Sequence, residues 1–281
     1  MALVLFDVSN MIYRAFHALD PEKFVRSSDG LSTNSVYGVA SITLSLLSKF
    51  SKEHTHIHPV ACFDSPTCNA ARKGLLPEYK ANRQRCPEKL SHQFQWIREL
   101  FASMGIRCEE HPRMEADDII ASYCKNAQSL YDSVIIVSSD KDLCQLVGPT
   151  VHFYNTRLKA HVSHDDVVAR YGVTPAQFPL YQSMVGDSCD NIVGIRGIGP
   201  KAATGIITAC EGDISKLDSS HKKWKLVQDH IELIETNVKL TTLASNADLE
   251  WNVPCYQETT AEFSAFLKSM DIEKIGRRTF H

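Results

Sequence analysis

Long apolar runs are missing from the 281-residue chain. None reaches the ~18 residues or more that crossing a bilayer requires, and Met1 leads straight into ALVLFDV with no basic stretch or small-residue cleavage site. No membrane span or secretory leader is expected, so the chain reads as soluble and cytoplasmic. Paired cysteines are missing too. The nine cysteines are scattered, odd in number and never in C-x-x-C, which excludes a zinc ribbon or an obvious disulfide framework and leaves them as small buried hydrophobes. Basic charge is not in excess: 30 Lys and Arg against 33 Asp and Glu give −3, which on its own does not suggest a nucleic-acid binder. A small-molecule cofactor motif is also lacking. GIRGIGPKAA (194–203) fails as a P-loop, because Pro200 displaces Lys201 and Ala202 stands where Ser or Thr belongs. It fails as a dinucleotide fingerprint because no apolar strand precedes it. HTHIHP (54–59) has alternating histidines but no cysteine or carboxylate to complete a ligand set, and reads as a solvated loop before the strand VACF.

What is present alternates in type. ALVLF (2–6), HPVACF (58–63) and SVIIVSS (133–139) are short, apolar and β-branched, as strands buried on both faces are. Helical patterns at about 34–51, 88–104 and 116–130 lie between them, so the chain is expected to be α/β with a mostly parallel central sheet flanked by helices. From about residue 175 the strand-like runs fade. PAQFPLYQSMVG, PKAATGIITACE and HKKWKLVQDHIELIETNVKLTTLA then predict a helical region, giving units of 1–174 and 175–281 that should pack closely.

Each of the three strand runs is followed by an aspartate: Asp7, Asp64 and Asp140. Sites of open α/β sheets lie outside the carboxyl ends of their strands, so these acids should converge. MEADDII adds Glu115, Asp117 and Asp118, SSDKDL adds Asp142, and GDSCDN adds Asp187 and Asp190. Acids at a helix start are often simple caps, and strand-end acids are common singly. Nine together would repel unless cations neutralise them, and an oxygen-only ligand set selects hard ions such as Mg²⁺ or Mn²⁺. Two such ions suit the hydrolysis of a phosphodiester. Setting these nine negative charges aside from the net −3 leaves +6 for the rest of the chain, a balance suited to following phosphates.

The stretch AARKGLLPEYKANRQR (70–85) supplies Arg72, Lys73, Lys80, Arg83 and Arg85 with Tyr79 among them. A helix from about Glu78 would place Lys80 and Arg83 on one face, within reach of a scissile phosphate, while Tyr79 offers a ring for a base to stack on. A solvated basic loop is the plainer alternative. In GIRGIGPK, Gly194, Gly197 and Gly199 allow a sharp turn, and Pro200 suits the first turn of a helix. Its free N–H groups, with Lys201, would grip a duplex backbone without reading sequence.

The ordered set LVLFDVSNMIYRAFHAL, YGVASI, FDS, LPEYKANR, EADDIIA, SSDKDLCQLV and GDSCDNIVGIRGIGPKAA resembles the 5′ nuclease superfamily. This includes the 5′–3′ exonuclease domain of bacterial DNA polymerase I, its stand-alone relatives and, more distantly, flap endonucleases. The resemblance implies a PIN-like nuclease core with a helical arch or gateway at about 66–90, followed by a helix-three-turn-helix at about 183–212. By the same resemblance, Asp7, Asp64, Glu115, Asp117 and Asp118 surround one metal cluster and Asp140, Asp142, Asp187 and Asp190 a second. Lys80, Arg83, Asp118 and Asp140 are implied to be catalytic. Arg72, Tyr79, Lys80, Arg83, Gly194, Gly197, Gly199 and Lys201 would contact DNA, and the carbonyls of Ile195 and Ile198 would hold K⁺. Val8 departs from the glycine usual after the first aspartate in polymerase-linked members.

The activity so implied is that of a structure-specific 5′–3′ exonuclease and 5′-flap endonuclease of replication and repair. Its substrates would be DNA with 5′ flaps, overhangs or nicks, and it would act as a monomer. A ribonuclease on the same core would not need the glycine turn. A haloacid-type phosphatase would want an acid where Ser9 stands. A catalytically silent DNA-junction scaffold would be expected to lack ligands, and all nine acids are present.

Overall fold

Alternate residues of the first strand set the layering. β1 (Ala2–Asp7) is buried along its whole length, sending Ala2, Val4 and Phe6 into one hydrophobic core and Leu3 and Leu5 into another. The computed structural model describes residues 1–127, 129–257 and 260–275.

From β1 the chain enters α1 (Val8–Ala18) directly, because the Asp7 side chain accepts from the Asn10 N–H and caps the helix. α2 (Asn34–Glu53), β2 (Ile57–Asp64), α3 (Ala70–Leu75), α4 (Glu88–Ser91), α5 (Gln93–Ser103) and β3 (Arg107–His111) follow. Next come α6 (Ala116–Asn126), β4 (Ser133–Ser138), β5 (Val151–Asn155), β6 (Ala160–Val162) and α7 (His164–Tyr171). The sheet order is β3-β2-β1-β4-β5-β6, with every pairing parallel except β5 with β6. The mostly parallel sheet was expected. The helix α1 and the strands β3, β5 and β6 were not.

One core packs α1, α2 and α5 on the first face, and the other packs α6 and α7 on the second. The second core also takes the helices that follow: α8 (Phe178–Val185), α9 (Pro200–Ala209), α10 (Trp224–Gln228) and α11 (Ile231–Thr241). A small antiparallel ribbon of β7 (Gly186–Asp187) and β8 (Ile192–Val193) joins α8 to the glycine turn. The chain then returns to the first face, where α12 (Ala261–Ser269) seats Phe263, Phe266 and Leu267 in the core built on β1.

Three sequence expectations need correction. The helix expected at 88–104 is two helices that meet at His92. The histidine loop is shorter than it reads, since β2 begins at Ile57 and the His58 ring nitrogen Nδ1 lies 2.7 Å from the Val253 carbonyl. All nine cysteines are free thiols, yet Cys108 and Cys189 are exposed and Cys86 and Cys255 half-buried. Among the described residues, no helix is long and apolar enough to cross a membrane.

Candidate active site

The strand order reverses beside β1: the chain runs outward through β2 and β3 on one side and through β4, β5 and β6 on the other. A cleft opens at the carboxyl ends of strands at such a point. Asp7 ends β1, Asp64 ends β2, and Asp140 follows β4 by two residues. Glu115 caps α6 and brings Asp117 and Asp118 into its first turn, in a capping box formed with Asp118. Asp142 lies in the short 3-10 turn Lys141–Leu146, Asp187 ends β7, and Asp190 lies in the turn between β7 and β8.

Their electrostatics show that the acids converge. Burial, then the charges of Asp64 and Asp140, push the Asp7 carboxyl up to about 7, although the Ser138 hydroxyl donates to it at 2.6 Å. Asp117 is pushed well above the usual carboxylate range by burial and by Asp7 and Asp140. Burial and Asp140 raise Asp142 to about 7. Burial also works against the charge of Asp190, but Lys80 and Arg83 outweigh it and hold that carboxyl below the usual range.

Cations of the chain itself lie among these carboxylates. The Lys80 ammonium contacts Glu115 and lies 3.7 Å from Asp190, and the Arg83 guanidinium donates to Asp190 at 2.7 Å. Lys141 contacts Asp187 and is 3.5 Å from Asp142. Gln182 donates to Asp142 at 2.7 Å and to Asp187 at 3.3 Å. Among the described residues, no three His, Cys, Asp or Glu side chains form a ready-made ligand set. Glu115, Asp118, Asp142, Asp187 and Asp190 are paired with lysines and arginines instead. The donor chemistry still fits a hard cation: the site is oxygen-only, burial and neighbouring carboxylates hold three of its carboxyls above the usual range, and the positive charge beside the acids comes from the chain's own lysines and arginines.

The basic stretch folds differently from its sequence expectation. Residues 77–82 form turns instead of a helix, because Lys80 takes a left-handed φ of 57°, which a helix cannot contain. Lys80 and Arg83 nevertheless reach the same carboxylate. Asn82 donates to the Ser188 carbonyl at 2.6 Å and Asn191 to the Glu78 carbonyl at 2.8 Å, so the segment is latched onto the ribbon after α8. Tyr79, expected to offer its ring to a base, is 2% exposed, packs with Ile192 and Leu240, and sets its single hydroxyl donor 3.0 Å from both Glu115 and Asp190. Arg72, expected on the DNA, is 8% exposed and pairs with Glu115 and Asp118. Arg83 keeps an exposed face, its side chain being 53% accessible.

The glycine turn has two kinds of glycine. A Cβ on Gly194 would lie 2.3 Å from the Val185 carbonyl oxygen, and one on Gly186 would lie 2.5 Å from the Gly194 nitrogen. Backbone meets backbone there. Gly197 has a φ of 92°, whereas Gly199 faces open space as the N-cap of α9, ahead of Pro200 and the exposed Lys201. No side chain caps α9, so its first N–H groups are open to a phosphate. Ile195 and Ile198 are buried, with Ile195 N–H on the Met184 carbonyl and Ile198 N–H on the Ile195 carbonyl. The Lys223 ammonium lies 3.2 Å from the Gly197 carbonyl.

Ser138, Lys141, Gln182 and Gly186 were missed as site residues. Lys141 had a signal, being a cation between two acids in SSDKDL. Gln182 had none, since its part depends on α8 lying beside the 3-10 turn.

A sheet with acids gathered at its switch point, helices on both faces and a glycine turn opening a further helix define a PIN-like nuclease core with an attached helical unit. Comparison with known proteins gives the family. Residues 2–172 match the 5′–3′ exonuclease N-terminal resolvase-like domain, and residues 173–262 match the 5′–3′ exonuclease C-terminal SAM fold. The chain is 32% identical to a 5′–3′ exonuclease of Aquifex aeolicus, over 88% of its own length and 83% of that protein. It is 36% identical to DNA polymerase I of Rhizobium leguminosarum over 98% of its length, and spans 28% of that polymerase. Its fold is similar to T5 5′-exonuclease with bound zinc ions (TM-score 0.67, 21% identity, 99% of this chain and 97% of that one). It is also similar to the catalytic core of Rad2 in complex with DNA substrate (TM-score 0.61, 14% identity, 99% and 92%). The chain belongs to the 5′–3′ exonuclease family.

Proposed function

We propose that the protein is a metal-dependent, structure-specific 5′ nuclease that hydrolyses DNA phosphodiesters at 5′ ends and 5′ flaps, working as a monomer with two or more Mg²⁺ or Mn²⁺ ions. The observation that carries this reading is the convergence of nine carboxylates from separate elements at one switch point, three of them held back from ionising by burial and mutual repulsion. Family membership and relatives that carry divalent ions or DNA support it.

Asp7, Asp64, Glu115 and Asp117 would hold ions on one side, and Asp140, Asp142, Asp187 and Asp190 on the other. When bound, these ions supply the Lewis acidity and charge neutralisation that attack of water on a phosphodiester requires. Lys80 and Arg83, paired here with Glu115 and Asp190, would turn to the scissile phosphate once those carboxylates are otherwise neutralised. Ser138 and Gln182 hold Asp7, Asp142 and Asp187 in place. The 183–212 segment would act as a helix-three-turn-helix, with Gly194, Gly197, Gly199, the α9 N-terminus and Lys201 gripping the duplex backbone and the Ile195 and Ile198 carbonyls holding K⁺. Substrate shape would set specificity, since such contacts position and do not read bases.

The test is cleavage of a fluorescent 5′-flap DNA with Mg²⁺, with EDTA, and with Asp187→Ala. Cutting near the junction that requires both metal and Asp187 is expected. Tight flap binding without product, in Mn²⁺ as well, would replace this reading with a DNA-junction scaffold.

A further inference from the structure

We infer that Asp118 is not a metal ligand but, with Arg72, forms the clamp that fastens the gateway segment and the end of α11 to the helix carrying the acids. The inference rests on reading the acid cluster as a divalent-ion site. It starts from two adjacent carboxylates in opposite states.

A carboxylate offers about four lone-pair directions. All four of Asp118 are taken: Oδ1 accepts from Arg72 Nη2 at 2.7 Å and from Ala244 N–H at 2.9 Å, and Oδ2 accepts from Arg72 Nη1 at 2.7 Å and from Glu115 N–H at 3.1 Å. The residue is 2% exposed. Asp117 has no hydrogen-bond or ion-pair partner among the described residues and feels the charges of Asp7, Asp140 and Asp64. One helix start therefore presents one free carboxylate to the other acids and one that is spent.

Arg72 uses four of its five N–H donors. Beyond its two bonds to Asp118, Nη1 donates to Glu115 at 2.8 Å and Nε to the Leu240 carbonyl at 3.1 Å. The guanidinium thus joins α3 at the base of the gateway, the acid-bearing start of α6, and the last turn of α11. Four residues beyond Leu240, the chain is pinned again, by Ala244 to Asp118 and then by Ala247 N–H to the Ser122 hydroxyl at 3.0 Å. For an ion to take Asp118, Arg72 would have to be stripped away and left as a buried, unpaired cation beside a second cation. Breaking a buried pair in that way is costly.

The test compares Asp118→Asn with Asp117→Asn by Mn²⁺ titration, and by hydrogen exchange over residues 66–90 and 240–247 in EDTA. Asp117→Asn should weaken Mn²⁺ binding by about tenfold or more, as loss of a groomed ligand does. Asp118→Asn should keep the number of bound ions, speed exchange in both segments by about tenfold, and lose flap cleavage mainly through KM. The Arg72→Gln, Asp118→Asn double variant should exchange no faster than the worse single variant, because both changes break one clamp. Should Asp118→Asn not fold, Arg72→Lys keeps the charge and gives the same exchange readout. Loss of Mn²⁺ from Asp118→Asn with exchange unchanged would overturn the inference. If the unaltered protein binds no Mn²⁺ at all, the ion-site reading fails, and additive exchange effects of the two single changes would then overturn the clamp on its own.

Discussion

Asp7 and Asp142 each titrate near 7, against an ordinary value of 3.8, so the folded protein holds protons there that the unfolded chain has released. Where the native state binds more protons, stability falls as pH rises. For these two groups the loss runs from about pH 4 to pH 7 and then levels off. EDTA-treated protein should accordingly lose melting temperature across that window, and Asp7→Asn or Asp142→Asn should flatten the loss. Asp190 opposes the trend, since its depressed value adds stability that disappears only as pH falls below the usual carboxylate range. Mg²⁺ competes for the sites that the protons occupy, so the stabilisation it brings should grow over the same window. A melting curve in Mg²⁺ that parallels the EDTA curve at every pH would disprove the coupling. At this scale the sequence was informative about which acids lie near the sheet's switch point and silent about their partners. Asp7 could be read from a strand end, but the hydroxyl of Ser138 and the amide of Gln182 reach the cluster only because distant segments meet.

The ribbon and glycine turn make the corresponding case for an element. Gly194→Ala places a methyl against the Val185 carbonyl, where only backbone can yield, and should cost about 1–3 kcal/mol, the usual range for overpacking. Gly199→Ala meets no atom within 4 Å at a negative φ, and should change stability by less than about 0.5 kcal/mol, as exposed substitutions do. Urea denaturation of the two variants checks the contrast, and equal losses would show that the close approach is not what holds the turn. Both glycines read alike in GIRGIGPK. Only the structure separates the one that admits neighbouring backbone from the one that leaves the N-terminus of α9 open. The strands divide in a similar way. β1, β2 and β4 are central and buried, so their apolar runs identified them, whereas β3 (RCEEH) lies at the sheet edge and is only half-covered, which permits a charged sequence. The 77–82 segment misled for a local reason, the left-handed Lys80 within a pattern that otherwise suits a helix.

Across the whole molecule, the two hydrophobic cores are divided by the sheet and joined by the chain's own return. α12 lies more than 250 residues from β1 in sequence and packs in the same core. Phe263 is 1% exposed, so Phe263→Ala should cost about 3–5 kcal/mol and lower cooperativity for the first face as a unit. Calorimetry would show this as a lower melting temperature, and an unchanged transition would mean that α12 adds little. Sequence patterning found the α/β order and the later helical region, because both depend on local periodicity. It did not place α12 on the nuclease core, since an amphipathic helix shows which of its sides is apolar and not which surface receives it.

The order in which the chain is made adds a consequence. β1 is made before the strands it pairs with, yet it is a central strand. Its neighbour β4 is about 130 residues away, Asp187 and Asp190 come later still, and α12 is made after them. A nascent chain therefore carries an incomplete set of acids through most of its synthesis, and the full cluster assembles late, close to the point at which the first core can close.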